Sequence, residues 1–141
     1  MTLLEKPRPR IFIAEDDPAT LELIITRLNV AGYDTAFARD GAEAVNGILQ
    51  TRPQAVILDV NMPQLDGFGV MRALRDNPSI SSKLPIMVLT ARNSPEDVRR
   101  AIQLGARDFL SKPFKDAQLL ERVARLLRVA PPVTSRPDVY L

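Results

Sequence analysis

The chain has 141 residues, of which 45% are hydrophobic and 26% are charged, and its formal net charge is only +2. This length and composition predict one globular domain with its own core, and we expect neither a membrane-spanning segment nor a secretion signal. Because the sequence contains no cysteine and no histidine, disulfides, thiolate chemistry, cysteine zinc sites and histidine catalysis are excluded.

Strand-like and helix-like segments alternate along the whole chain. The strand-like segments are mostly apolar and are predicted at 11–14, 34–38, 55–60, 85–90 and 108–111, as is typical of parallel strands covered on both faces. Helical periodicity and N-cap residues predict helices that begin near 18, 40, 66, 94 and 116. Asp17 is the expected N-cap of the first helix, and Pro18 its first residue.

This alternation predicts an α/β fold of the (βα)5 type, in which helices cover both faces of a doubly wound, parallel five-stranded sheet. The second and fifth strands are expected at the two edges of the sheet. In such sheets ligands bind beyond the carboxyl ends of the strands. The segments 1–8 and 130–141 are predicted to be a flexible N-terminus and a flexible tail or linker start.

Polar side chains follow four of the predicted strands. Glu15 and Asp16 follow the first strand, Asp59 ends the third, Thr90 ends the fourth and Lys112 follows the fifth. At ~4 Å and an effective dielectric of ~20, two like charges repel by about 4 kcal/mol, so the acids need water or a cation. Carboxylate oxygens suit Mg²⁺, and Lys112 would add one further positive charge.

Asp59 is the predicted nucleophile of this site. It ends the most apolar strand in the middle of the sheet, whereas Glu15 and Asp16 lie at a loop edge that suits metal binding. A carboxylate between Mg²⁺ and an ammonium group can attack phosphorus. Phosphoryl transfer mainly requires positioning and neutralisation of the phosphoryl oxygens, which Mg²⁺, Lys112 and the hydroxyl of Thr90 could supply.

Four motifs in order, EDDP at 15–18, LDVNMPQLDG at 58–67, LTA at 89–91 and GARDFLSKPF at 105–114, make residues 9–129 resemble a response-regulator receiver domain. The resemblance implies a flavodoxin-like fold with strand order 2-1-3-4-5. It implies phosphorelay signalling in the cytoplasm, with a phosphoryl group received from a sensor histidine kinase or a histidine phosphotransfer protein and passed on as a signal to an effector. No direct contact of this domain with nucleic acid or membrane is implied.

The resemblance also assigns the metal ligands and the acceptor. Asp16 would bind Mg²⁺, or alternatively Mn²⁺, directly, and Glu15 would bind it through water. Asp59 would accept the phosphoryl group and contact the metal, with the backbone carbonyl of Asn61 as a further ligand. The chain would catalyse only its own phosphorylation and dephosphorylation, so it is not expected to be an enzyme of metabolism.

The resemblance further implies a switch. Thr90 would move toward the phosphoryl oxygens, Lys112 would pair with them, and Phe109 would rotate inward to reshape the face formed by helix 4, strand 5 and helix 5. Pro113 is expected to follow a cis peptide bond. Arg92 occupies a position that, together with that of Asn61, tunes the lifetime of the phosphoryl group in the family.

Arginines recur every three residues on the last predicted helix, at Arg122, Arg125 and Arg128. They could form a solvated face. Alternatively they could form a docking surface or a phosphorylation-dependent homodimer, in which they pair with Asp97 and Asp108 across a two-fold axis.

Two other functions stay open at this point. The first is a Mg²⁺-dependent phosphohydrolase similar to haloacid dehalogenases, which requires an acid two residues after the nucleophile, where this chain has Asn61. The second is a pseudo-receiver that binds partners without phosphorylation, although the complete set Asp16, Asp59, Thr90 and Lys112 speaks against it. Structural roles also remain open, with the first acids as helix caps and Phe109 as a core residue.

Overall fold

The computed structural model describes residues 8–129, so the segments 1–7 and 130–141, with nearly all of the predicted flexible ends, lie outside the described residues. Five strands and five helices alternate in this part of the chain. They are β1 (Arg10–Ala14), α1 (Pro18–Val30), β2 (Asp34–Ala38), α2 (Gly41–Thr51), β3 (Ala55–Leu58), α3 (Gly67–Arg75), β4 (Ile86–Thr90), α4 (Pro95–Gln103), β5 (Asp108–Ser111) and α5 (Asp116–Val129). Within residues 8–129, every helix is too short or too polar to cross a bilayer.

The strands form one parallel sheet in the order β2-β1-β3-β4-β5. This order confirms the predicted doubly wound α/β fold and places β1, β3 and β4 inside the sheet. Every residue of β3 and β4 is buried, as expected of strands covered on both faces. β3 ends at Leu58, two residues earlier than predicted, so Asp59 lies just beyond the strand.

Two cores lie on opposite faces of the sheet, because successive side chains of a strand alternate between its faces. Ile11 and Ile13 of β1 pack against α1 and α5. Phe12 and Ala14 pack on the other face, against α2 and α3. All four are at most 1% exposed, and burial of one large aliphatic or aromatic side chain contributes about 1.5–3 kcal/mol.

Side-chain caps fix where four of the five helices begin at the carboxyl edge of the sheet. The cap in each case is a carboxylate or hydroxyl that accepts a hydrogen bond from the backbone N–H three residues later, and each cap contributes about 1 kcal/mol. The N-caps are Asp17, Asp40, Asp66 and Ser94.

The other end of α1 is closed by Gly32 and by Arg8. Gly32 has a φ of 102°, a conformation that side chains disfavour and that commonly ends helices. The guanidinium of Arg8 donates to the carbonyls of Asn29, Gly32 and Tyr33. Arg8, which the sequence placed in the flexible N-terminus, is therefore held against the end of α1.

Candidate phosphoacceptor site

The predicted polar residues converge at the carboxyl edge of the sheet. Glu15 follows β1, Asp59 follows β3, Thr90 ends β4 and Lys112 follows β5. Three of the side chains belong to residues that are nearly inaccessible to solvent, with exposures of 1% for Glu15, 3% for Asp59 and 0% for Thr90. Polar groups buried to this extent need partners inside the site.

Three carboxylates form the acidic part of the site. Glu15, Asp16 and Asp59 each offer one oxygen, and these oxygens all lie within 4.8 Å of one another. Oε1 of Glu15 is buried, and the ammonium of Lys112 lies 2.7 Å from it. Three carboxylates whose oxygens lie this close together are the donor set that a hard cation such as Mg²⁺ prefers. The residues therefore fit the metal that the sequence predicts.

Lys112 contacts two of these acids, Glu15 and Asp59, in the structure. Its Nζ lies 2.7 Å from Oε1 of Glu15 and 3.2 Å from Oδ2 of Asp59. Burial raises the pKa of Glu15, and the nearby ammonium of Lys112 offsets this only in part. Burial acts to lower the pKa of Lys112, but the carboxylates of Glu15 and Asp59 outweigh it and raise this pKa. Lys112 therefore stays charged at neutral pH.

The carboxylate of Asp59 is oriented through both of its oxygens. Oδ1 accepts the backbone N–H of Asn61 at 3.1 Å, and Oδ2 accepts from Lys112 at 3.2 Å. The N–H of Asp59 still donates to the carbonyl of Ala14 on β1 at 2.9 Å, so its backbone continues the sheet pairing for one residue. Asp59 is thus anchored to the sheet while its side chain faces the acidic cluster.

Arg92 connects the segments around the site. Its backbone N–H donates to Oγ1 of Thr90 at 3.1 Å, and its guanidinium donates to Oδ1 of Asn61 at 3.3 Å. The same guanidinium donates twice to Asp97 in the first turn of α4, at 3.0 and 3.3 Å. The sequence singled out Arg92 and Asn61 but did not predict their contact, nor the pairing of Arg92 with Asp97.

The aromatic neighbour of Arg92 was also missed by the sequence analysis. The guanidinium carbons of Arg92 and Arg100 lie 5.8 and 4.3 Å from the ring centroid of Phe68, which is completely buried at the start of α3. Attraction between a guanidinium and a ring face contributes about 0.5–1 kcal/mol at exposed positions. Nothing in the local sequence pattern links these three residues, because the contact depends on how α3 and α4 pack.

Replacement of Arg92 by alanine is expected to raise the pKa of Asp97 toward its ordinary value of 3.8. The hydrogen bond from Arg92 is the main cause of the lowered pKa of Asp97, so its loss should let the carboxylate bind a proton more easily. The stabilisation from this pair is present above pH 3.8 and is lost as the pH falls through the lowered pKa. Carbon NMR of the carboxyl groups during an acid titration measures the pKa of Asp97 in the unsubstituted chain and in the variant.

Asp17 provides an internal control in the same titration. The pKa of Asp17 is lowered by hydrogen bonds from Thr20, and Arg92 takes no part in these bonds. This pKa should therefore be the same in the unsubstituted chain and in the Arg92→Ala variant. An unchanged pKa of Asp97 in the variant would contradict the assignment of the pair.

The remaining predicted residues surround β5. Phe109 is half-buried and packs against the core on the side of α2 and α3, and the peptide bond between Lys112 and Pro113 is cis. Arg122 and Arg125 each donate to a carboxylate oxygen of Asp108 at 3.0 Å. Asp97 and Asp108, the two acids considered for pairing across a two-fold axis, are therefore both paired within this chain.

Comparison with known proteins agrees with this fold. The sequence model of the family described as "Response regulator receiver domain" matches residues 11–124. The transcriptional regulatory protein PrrA of Mycobacterium leprae is 42% identical over 120 residues, which are 85% of this chain and 50% of that protein. The chain thus spans about half the length of this curated relative.

Two solved structures show the same fold. The chemotaxis protein CheY4 of Vibrio cholerae has a TM-score of 0.81 and 31% identity, and the alignment covers 86% of this chain and 100% of that one. A receiver domain of a sensor histidine kinase from Pseudomonas aeruginosa, solved with a magnesium ion in its active-site cleft, has a TM-score of 0.78 and 31% identity, with 86% and 99% covered. On the matched motifs, the fold and these likenesses, the chain belongs to the response-regulator receiver domain family of two-component signalling proteins.

Proposed function

We propose that Asp59 of this receiver domain accepts a phosphoryl group, in the presence of Mg²⁺, from a phosphohistidine on a sensor histidine kinase or histidine phosphotransfer protein. The observation that supports this most is the contact of Oδ2 of Asp59 with the ammonium of Lys112 at 3.2 Å, inside a cluster of three carboxylates. A carboxylate held between cationic groups is a competent nucleophile toward phosphorus.

The chain's own residues have distinct tasks in this reaction. Glu15, Asp16, Asp59 and the carbonyl of Asn61 would hold the metal, which when bound supplies positive charge to the phosphoryl oxygens. An oxygen of Asp59 forms the new bond to phosphorus as the bond from phosphorus to the histidine nitrogen breaks, and the histidine keeps that electron pair. Lys112 neutralises a phosphoryl oxygen, so positioning and electrostatics provide most of the rate enhancement.

The proposal also covers the conformational change that follows phosphorylation. The hydroxyl of Thr90, which accepts the N–H of Arg92 in the structure, would turn to the phosphoryl group, and Phe109 would move inward. The face formed by α4, β5 and α5 would then engage a cytoplasmic effector or a second copy of the chain. In this proposal the protein relays a signal and catalyses only its own phosphorylation and dephosphorylation.

Incubation with acetyl phosphate and Mg²⁺, followed by intact-mass measurement, tests this function. We expect the mass of one labile phosphoryl group to be added, and no addition in EDTA, because the carboxylate cluster would then lack its cation. Failure to gain mass with Mg²⁺ would contradict the proposal. Steady release of phosphate from a phosphomonoester would instead favour a phosphohydrolase.

A further inference from the structure

The N-terminus of α2 contacts the loop that follows the predicted acceptor. We call residues 60–66, between Asp59 and the start of α3, the acceptor loop. Gly41, the first residue of α2, is buried, and its N–H donates to the carbonyl of Pro63 at 3.3 Å. The N–H of Leu65 donates to the same carbonyl at 2.8 Å. The start of α2 and the acceptor loop therefore share one acceptor and lie in direct backbone contact.

There is no room for a side chain at this contact. A Cβ atom at Gly41 would lie 1.8 Å from the carbonyl oxygen of Leu65 and 2.6 Å from its carbonyl carbon. Real Cβ atoms essentially never approach other atoms more closely than 3.0 Å, so the acceptor loop and the start of α2 would have to move apart by roughly 1 Å, a displacement large enough to misplace reacting groups. Because Gly41 is not among the residues with positive φ, its backbone conformation does not explain the glycine.

The acceptor loop has little freedom to absorb such a movement elsewhere. A Cβ at Gly67, where the loop ends, would lie 2.5 Å from the carbonyl oxygen of Asp59, and the N–H of Gly67 donates to the carbonyl of Val60 at 2.9 Å. Asn61 is tied to Oδ1 of Asp59 through its own N–H. A shift at Leu65 is therefore passed along the short loop to Asn61 and to the carboxylate of Asp59.

We propose that Gly41 is a positioning residue of the acceptor site: by having no side chain, it lets α2 hold the acceptor loop where Asp59 and the carbonyl of Asn61 face the same cation. This inference rests on the proposed function, because it takes Mg²⁺ to bind there. Groups that orient metal ligands without touching the metal typically change metal affinity 10–100-fold when they are altered. Gly41 is expected to act in this way although it is distant in sequence from every ligand.

Gly47 supplies a matched control within the same helix. A Cβ at Gly47 would lie 2.6 Å from ring atoms of Phe12 in the core, so alanine at this position also overpacks the protein. The three atoms nearest to that Cβ all belong to Phe12, so alanine at Gly47 does not displace the acceptor loop. Gly41→Ala and Gly47→Ala therefore share the type of substitution, the helix and the overpacking, and differ in whether the acceptor loop is displaced.

Calorimetric titration with MgCl₂ of the unsubstituted chain and the two variants, each verified as folded by circular dichroism, tests the inference. We expect Gly41→Ala to bind Mg²⁺ about tenfold or more weakly, and Gly47→Ala to bind within about twofold of the unsubstituted chain. Equal affinities of the two variants would overturn the role of Gly41 and leave the proposed function intact. If the unsubstituted chain takes up no Mg²⁺, both the proposed function and this inference are overturned.

A second variant gives the same test from the other side of the contact. Leu65 is half-buried, and its Cδ1 occupies the space next to Gly69, where a Cβ would lie 2.4 Å away. Leu65→Ala removes the side chain that fills this space and should loosen the acceptor loop. We therefore expect Mg²⁺ affinity to fall about threefold or more. If Gly41→Ala does not fold, an affinity of Leu65→Ala equal to that of the unsubstituted chain would overturn the inference.

Discussion

Replacement of Asp59 by asparagine is expected to abolish phosphorylation while the domain remains folded. Asparagine retains the shape of the side chain and an oxygen that can accept from the N–H of Asn61, but its neutral amide is a poor nucleophile. Removal of a covalent nucleophile lowers a rate by at least about 10³-fold. Phosphoprotein formed from acetyl phosphate with Mg²⁺, measured by intact mass, should fall below detection.

The stability of the Asp59→Asn variant should change by less than about 1 kcal/mol in EDTA, because the lost repulsion from Glu15 and Asp16 offsets the lost attraction to Lys112. Asp76→Asn is the matched control, since the side chain of Asp76 is 70% exposed and Asp76 caps the C-terminal end of α3, whereas the site adjoins the N-terminal end. The control should be phosphorylated normally. Phosphorylation of Asp59→Asn at the normal rate would refute the assignment of the acceptor.

Replacement of Lys112 by methionine is expected to cost about 3 kcal/mol of folding free energy in EDTA near pH 7. Methionine has nearly the same length but no charge, so Glu15 and Asp59, whose side chains are 1% and 4% exposed, lose the ammonium that contacts both of them. Removal of one partner of a buried ion pair leaves a buried charge uncompensated, which typically costs about 3–5 kcal/mol. Urea denaturation measures the change.

The loss of folding free energy in Lys112→Met should depend on Mg²⁺ and on pH. Mg²⁺ bound only by the folded state should restore part of the stability, as ligand binding to the native state does in general. The raised pKa of Glu15 means that the folded protein takes up a proton on this group above pH 4.5, the ordinary value. The folded state is therefore relatively stabilised at low pH, and this stabilisation is lost as the pH rises through that raised pKa. The effect of Lys112→Met should accordingly be smaller near pH 4 than near pH 7.

Lys115→Met is the control for this substitution. Lys115 lies three residues away on the exposed surface, and replacement of an exposed charge usually changes stability by less than about 0.5 kcal/mol. If Lys112→Met and Lys115→Met were equally stable in EDTA, the electrostatic account of the site would be wrong.

The periodicity of the sequence was sufficient to predict the fold and the edge at which the site lies. Continuous apolar segments separated by capped helices require a parallel sheet covered on both faces, and parallel strands direct their carboxyl ends to one edge. Glu15, Asp59, Thr90 and Lys112 follow four different strands, so their convergence was predictable before any distance was known.

The contacts that depend on tertiary packing were not predictable from the pattern. The pairing of Arg92 with Asp97, and of Asp108 with Arg122 and Arg125, requires a knowledge of side-chain directions, and the spacing of the arginines is equally consistent with contacts between chains. The contacts of Gly41 with Pro63 and Leu65 join residues more than 20 positions apart in the chain. Such contacts follow from how helices pack on the sheet, which local propensities do not determine.

Localisation of the phosphoryl group by tandem mass spectrometry is the most direct test of the central claim, that one carboxylate at the edge of the sheet is the phosphoacceptor. The protein would be treated with acetyl phosphate and Mg²⁺, the acyl phosphate trapped by borohydride reduction, and the peptides sequenced. We expect a single modified residue, Asp59, and none when EDTA is present. Modification at Glu15 or Asp16 with Asp59 unmodified would contradict the account.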